Sequence, residues 1–251
     1  CQQSMGLQMD YDRRYMSRAD ADVAHYDVGL RQYMLGVYNR MTAALVLTGL
    51  VAYGTVLMAF QDGALTSFGM AVYASPLKWV VMFAPVAMVF FLSARIQSMS
   101  LAGAQVAFYV YAGLMGLSLS SIFLVFTGES IARVFFIAAA TFGGTSLYGY
   151  TTKRDLSKFG SFLFMGLIGI FIASIVNIFI GSTALQFAIS VIGVLVFTGL
   201  TAYDTQAIKE MYNELDGSDV AGKKAIMGAL RLYLDFINLF IMLLQLFGNR
   251  E

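Results

Sequence analysis

The chain has 251 residues, of which 59% are hydrophobic and 12% charged. A soluble domain carries about 25% charged residues, so this balance, with a mean hydropathy of +0.72, excludes one and points to a polytopic membrane protein. A net charge of +1 leaves no electrostatic footprint for nucleic acid, and a single cysteine (Cys1) and histidine (His25) remove Cys/His zinc sites, haem ligation, Cys–His catalysis and disulfides.

Residues 1–8, CQQSMGLQ, have neither helical nor targeting logic and read as a vector-derived remnant ahead of a natural start near Met9. Residues 1–36 are polar and mixed in charge, and are expected to form an N-terminal cytosolic tail, helical near Val28–Tyr38. No cleavable signal is apparent, because the first apolar stretch is long enough to span. The remainder, 37–251, reads as one transmembrane domain. Seven apolar runs lie near 37–60, 77–97, 102–126, 131–150, 160–181, 184–205 and 225–247. Each has about the 20 residues that a helix needs to cross the hydrocarbon, and continuous rather than alternating hydrophobicity selects helices over a barrel. Thr127-Gly128-Glu129 and Gly181-Ser182-Thr183 read as tight turns, and 151–159 as a brief basic connection. Only 61–76 and 206–224 are long enough for substantial loops. Paired glycines (Gly113 and Gly116, Gly143 and Gly144, Gly166 and Gly169) suggest close helix packing. Pro85 should kink the second helix.

With the N-terminus inside, thirteen of the sixteen basic residues face the cytosol and three (Lys78, Arg133, Arg250) lie outside. That asymmetry fixes the orientation. Seven crossings then put the C-terminus outside. Because Asp235 interrupts the last run, a re-entrant last segment with both termini inside stays open.

Asp235 is the first functional candidate. A carboxylate within a membrane span costs a few kcal/mol and normally faces the bundle interior or a wet cavity. Arg231, Asp235, Asn238 and Gln245 share one face of the last helix, whose other faces are Leu, Ile, Phe and Met. The economical architecture is an all-α, seven-helix bundle with this C-terminal helix in the centre. The sixth run has its own stripe of Thr198, Thr201, Asp204 and Thr205. Asp204 and Arg95 lie near the cytosolic ends of the sixth and second helices, and Asp235 is roughly 16 Å along the seventh from Lys224. Arg95, Asp204 and Asp235 therefore fall at one depth, with Arg231 beside them. Two carboxylates close together in low dielectric titrate as a pair. With an arginine they form a candidate pH-sensitive latch. Ionised, Asp204 and Asp235 would also supply hard oxygen ligands for a weak Ca²⁺ site, completed by water or carbonyls. Plainer roles exist for each: Asp204 near headgroups, Asp235 paired with Arg231 on its own helix, Arg95 snorkelling to the lipid surface. Asn177 is expected to bond between helices, and Glu129 to sit in a solvated outer turn.

Signature motifs of nucleotide, zinc and serine chemistry are absent. Ala202-Tyr203-Asp204 superficially matches one half of an intramembrane aspartyl protease, but Leu234-Asp235-Phe236 does not match the other half, so no enzyme and no cofactor are expected.

Four segments carry a resemblance: Val37-Tyr38-Asn39-Arg40-Met41 into Leu47-Thr48-Gly49, the run Gly144 to Ser157 with its Thr-Lys-Arg-Asp-Leu-Ser end, Tyr203-Asp204-Thr205-Gln206, and Leu232 to Phe240. From about residue 30 onward the chain resembles the Bax inhibitor-1 (transmembrane Bax inhibitor motif) family, particularly its bacterial members of the YetJ and YccA type. The resemblance implies seven helices around a central last one, in the cytoplasmic membrane. It also implies a pH-sensitive Ca²⁺ leak with Asp204 and Asp235 as sensor and Arg95 as latch. Some relatives carry a pore-lining acid earlier in the second helix; Val80 to Leu92 holds none here. Ca²⁺ and the bilayer are the expected partners of a monomer. Two rival functions are a regulator that docks a membrane-anchored AAA protease, and a proton-coupled cation exchanger.

Overall fold

The computed structural model describes residues 2–61 and 64–250, with side chains from Asp27 onward. Cys1, the side chain of His25 and the expected remnant's side chains lie outside the described residues. Among the described residues, seven helices are long and apolar enough to cross a membrane. They are α1 (Gln2–Ala59, apolar from Asp27), α2 (Leu77–Arg95), α3 (Leu101–Leu119), α4 (Gly128–Thr151), α5 (Ser157–Ile180), α6 (Thr183–Glu210) and α7 (Ser218–Phe247). The chain is thus an all-helical, multi-pass membrane protein.

Local chemistry sets the helix ends. Ser100, Thr127 and Ser182 each accept a backbone N–H from three residues on, satisfying a donor that a helix start leaves free. Gly181 ends α5 at φ +66°, a conformation that favours glycine, so the α5–α6 joint is as tight as its sequence suggests. The 61–76 connection is more ordered than a plain loop. Phe60–Gln61 pairs with Ala64–Leu65, and Tyr73 donates to Ser120 Oγ at 2.8 Å, tying the connection to the end of α3. The expected 206–224 loop shrinks to 211–217, because both flanking helices extend into the cytosol. The extension of α7 is supported by ion pairs that hydropathy does not register: Lys223–Asp219 at 2.8 Å and Lys224–Asp216 at 2.5 Å. At the N-terminal side, α1 likewise runs through 27–36, burying Leu30, Tyr33 and Met34.

The last helix is central. Apolar nearly all round, it must be surrounded by protein or lipid. Two thirds of its most apolar window (67%) is buried, against 6% for α5. It packs on α1, α3, α4 and α6. Phe135 and Phe142 of α4 meet Phe236 edge-on, each at 5.5 Å between centroids. Tyr233 is fully buried, bonding Thr48 Oγ1 of α1 at 2.7 Å. The helix runs unbroken past Asp235 for 30 residues, about 45 Å. It emerges where Asn249 bonds Thr127 and Ser130, at the outer turn before α4. That geometry is a full crossing, not a re-entrant loop.

By contrast α5 packs on α6, and α2 on α3. Of the glycines expected to allow close packing, Gly116 lies against Thr48 and Gly166 against Val196. Gly113, Gly143, Gly144 and Gly169 face open space instead. A tighter approach occurs at Gly149, where a Cβ would lie 2.9 Å from Ala202 Cα of α6.

Candidate functional site

Antiparallel packing of α6 on α7 brings two polar stripes face to face. Asp235 is 5% exposed in the middle of α7, with Arg231 one turn before it and Asn238 one turn after. Across from it on α6 is Asp204. Arg231 Nη1 lies 3.7 Å from Asp204 Oδ1. The guanidinium side chain is 45% exposed and the carboxylate 16%, so water screens this pair in part. Asp204 and Asp235 line the same cavity, so the two carboxylates bear on each other in a setting of low dielectric. Among the described residues Asp235 Oδ2 has no hydrogen-bond partner, and a buried carboxylate oxygen without a donor is costly.

All four polar residues line one cavity of about 560 Å³ between α5, α6 and α7. Its remaining wall is apolar and aromatic, including Phe164, Leu167, Phe197 and Tyr203. Since α5 rests on α6 and not on α7, the gap between α5 and α7 is what leaves the space. Asn238 donates its amide to Leu234 O at 2.8 Å, and its own carbonyl oxygen stays available to a ligand. Among the described residues no group of three or more His, Cys, Asp or Glu comes together. The cavity therefore offers two carboxylates and an amide oxygen, suited to a passing cation with its water more than to a resident one.

Arg95 is not part of this group. It lies exposed at the end of α2, has no ion pair among the described residues, and α2 packs on α3. Charge topology fixes how deep a residue lies in the bilayer but not its lateral position. In this structure the arginine beside Asp204 is Arg231.

Farther out, Asn177 donates to Gln186 Oε1 at 3.0 Å, Gln186 donates to Gln245, and Ser190 donates to Gln245 Oε1 at 2.9 Å. This network ties α5, α6 and α7 at their outer ends, beyond the cavity. Asn177 and Gln245 are legible in sequence as polar residues on apolar helices. Gln186 and Ser190, close to a helix start, look like ordinary interfacial residues.

A neighbouring face of α6 carries a second polar chain. Ser146 Oγ of α4 lies 2.6 Å from Tyr38 Oη of α1 and 2.9 Å from Thr205 Oγ1. Next along, Gln206 accepts from Leu156 N and donates to Arg154 O, and about one turn on Lys209 donates to Tyr150 O at 3.0 Å. The α4–α5 connection is thereby pinned to α6. Within it, hydrogen bonds from the Ser157 side chain and backbone N–H hold the exposed Asp155 carboxyl below the usual carboxylate range.

The profile of the family described as "Inhibitor of apoptosis-promoting Bax1" matches residues 30–251. The chain is 50% identical over 225 residues to the "Inner membrane protein YbhL" of Escherichia coli K12, covering 89% of this chain and 94% of that one. It is 49% identical over 232 residues to an uncharacterised protein of Rickettsia prowazekii (90% and 93% covered). An uncharacterised protein of Caulobacter vibrioides is 45% identical over 254 residues (96% and 99%).

Proposed function

Because the chain belongs to the Bax inhibitor-1 family, we propose that it is a passive, pH-controlled Ca²⁺ leak of a bacterial inner membrane. Its similarity to an inner-membrane protein supports the location. The observation that carries the mechanism is the cavity in which Asp204, Asp235 and Arg231 converge. With Asp204 ionised, the guanidinium holds α6 and α7 together at the cytosolic end. Protonation of the carboxylate pair removes the charge that Arg231 answers, frees it toward water, and loosens the α6–α7 wall of the cavity. Flux should therefore rise as pH falls. Asp204, Asp235 and the Asn238 carbonyl serve as transient ligands along the cation's path. Arg231, not Arg95, is the latch in this assignment; a latch role for Arg95 would need α2 to leave α3.

The test is Ca²⁺ flux into liposomes holding the purified full chain, from neutral to acid pH, for the parent, Asp204→Asn and Asp235→Asn. The expected result is acid-activated flux in the parent and flux independent of pH in both variants. Folded protein with no flux above empty liposomes at any pH would sink the leak and favour a regulator of another membrane protein. Flux that appears only against a counter-gradient of protons would make the protein an exchanger.

A further inference from the structure

Away from the carboxylate pair, α1 and α4 leave a groove of about 600 Å³ between them. Its walls are Leu35, Phe142, Leu147 and Tyr150, with Gly143 in the α4 side and Arg31 at one end. The size is that of a ligand pocket, and the lining is mainly apolar. Within the slot, Tyr38 and Ser146 bond each other and so make no demand on an occupant.

Two features bear on what fills it. The first is Gly143. A glycine within a helix weakens it, a cost ordinarily offset where a neighbouring backbone comes close. At Gly143 a Cβ would meet nothing within 4 Å. This glycine widens the groove without making room for any helix. The second is charge. Arg31 is exposed and has no ion pair among the described residues. Lys209 adds a second positive charge at the Tyr150 edge, its ammonium 5.2 Å from that ring's centroid. By the distribution of basic residues, both lie on the cytosolic side, at the level of lipid phosphates.

We infer that this groove is a binding site for an anionic phospholipid of the cytosolic leaflet. One acyl chain lies along Leu35, Phe142, Gly143 and Leu147, and the phosphate sits at Arg31, with Lys209 adding positive potential beyond Tyr150. An apolar slot alone would take any acyl chain; the unpaired arginine at its end selects a headgroup with net negative charge. The site is independent of the Ca²⁺ leak and stands whether or not the protein conducts.

The test is native mass spectrometry of the full chain released from detergent after equilibration with phosphatidylglycerol and phosphatidylcholine in competition. The parent should retain phosphatidylglycerol preferentially. Arg31→Ala should reduce that preference about fivefold, the worth of one basic side chain near a lipid surface. Gly143→Leu, which fills the slot, should reduce retention of both lipids. Lys78→Ala, a charge removed on the outer side, should leave the preference unchanged. Equal retention of the two lipids by the parent, or an unaltered preference in Arg31→Ala, would overturn the site and leave only unspecific annular lipid. Arg31 is exposed and its removal leaves the fold intact, so this arm decides the matter even if Gly143→Leu folds poorly.

Discussion

The same substitution, glycine to alanine, should have opposite effects at two positions six residues apart on α4. At Gly149 a new Cβ would enter the backbone of α6 at Ala202, 2.9 Å from its Cα. Neither backbone can rotate away as a side chain would, so α4 and α6 must separate. Overpacking of this kind costs about 1–3 kcal/mol, against a helix-propensity gain of about 1 kcal/mol. The net is a loss of up to about 2 kcal/mol. At Gly143 nothing lies within 4 Å, so the propensity gain of up to about 1 kcal/mol stands alone. The two variants should differ by about 1–3 kcal/mol, or about 2–12 °C in midpoint for a chain of this size. Thermal unfolding of both in one detergent, followed by circular dichroism, measures the difference. A second readout comes from Ser146 and Thr205, one turn away, whose oxygens are 2.9 Å apart. An ångström of separation exceeds hydrogen-bonding reach, so the contact between α4 and α6 should also open to hydrogen exchange in Gly149→Ala. If Gly149→Ala proved as stable as Gly143→Ala, the contact between α4 and α6 would not be the close packing described.

Arg231→Ala removes the cation that holds α6 to α7, so Ca²⁺ flux at neutral pH should rise by up to about fivefold over the parent. At 3.7 Å and near-aqueous screening the pair is worth about 1 kcal/mol; Arg95→Ala in the same liposomes should leave that flux unchanged. Tyr233→Phe removes a buried bond to Thr48, whose hydroxyl keeps backbone acceptors at Ala44 and Ala112. A loss of about 1 kcal/mol in unfolding measurements is expected, with no larger cost because no polar atom is orphaned. Asp155→Asn should not alter the pH profile of flux. Its carboxyl is held below the usual range, so what it contributes is present above the ordinary carboxylate pKa and is lost only as pH falls through the lowered value. A mildly acid midpoint that shifted in this variant would place the sensor in the α4–α5 connection instead of the cavity.

The seven crossings were legible because span length and continuous hydrophobicity are set by the bilayer itself. The central place of α7 was legible from a polar stripe on an otherwise apolar helix. The helix ends were not, since α6 and α7 project into water on polar residues, such as Lys223 and Asp219, that hydropathy reads as loop. Arg95 shows the sharper limit. Its depth follows from charge topology, but its distance from Asp204 depends on which helices are neighbours, and α2 packs on α3. The glycines carry the same ambiguity: Gly116 and Gly143 look alike in sequence, yet one meets the Thr48 backbone and the other empty space.

Several residues that identify the family in separate segments are partners of one another in space. Tyr38 comes from the first segment, Ser146 from the second and Thr205 from the third, and they form one hydrogen-bonded chain. Gln206, next along, pins the connection at Arg154 and Leu156, and Tyr233 of the last segment bonds Thr48 of the first. Asp204 and Thr205 are adjacent on α6, so their side chains leave it about 100° apart. One faces the carboxylate cavity; the other faces the chain that holds α1 and α4. A helix fixed by hydrogen bonds on one face and by a titratable ion pair on another has a rigid anchor and a releasable one. On the proposed leak, protonation at Asp204 releases the Arg231 contact between α6 and α7 while the Tyr38–Ser146–Thr205 chain keeps α1, α4 and α6 in register.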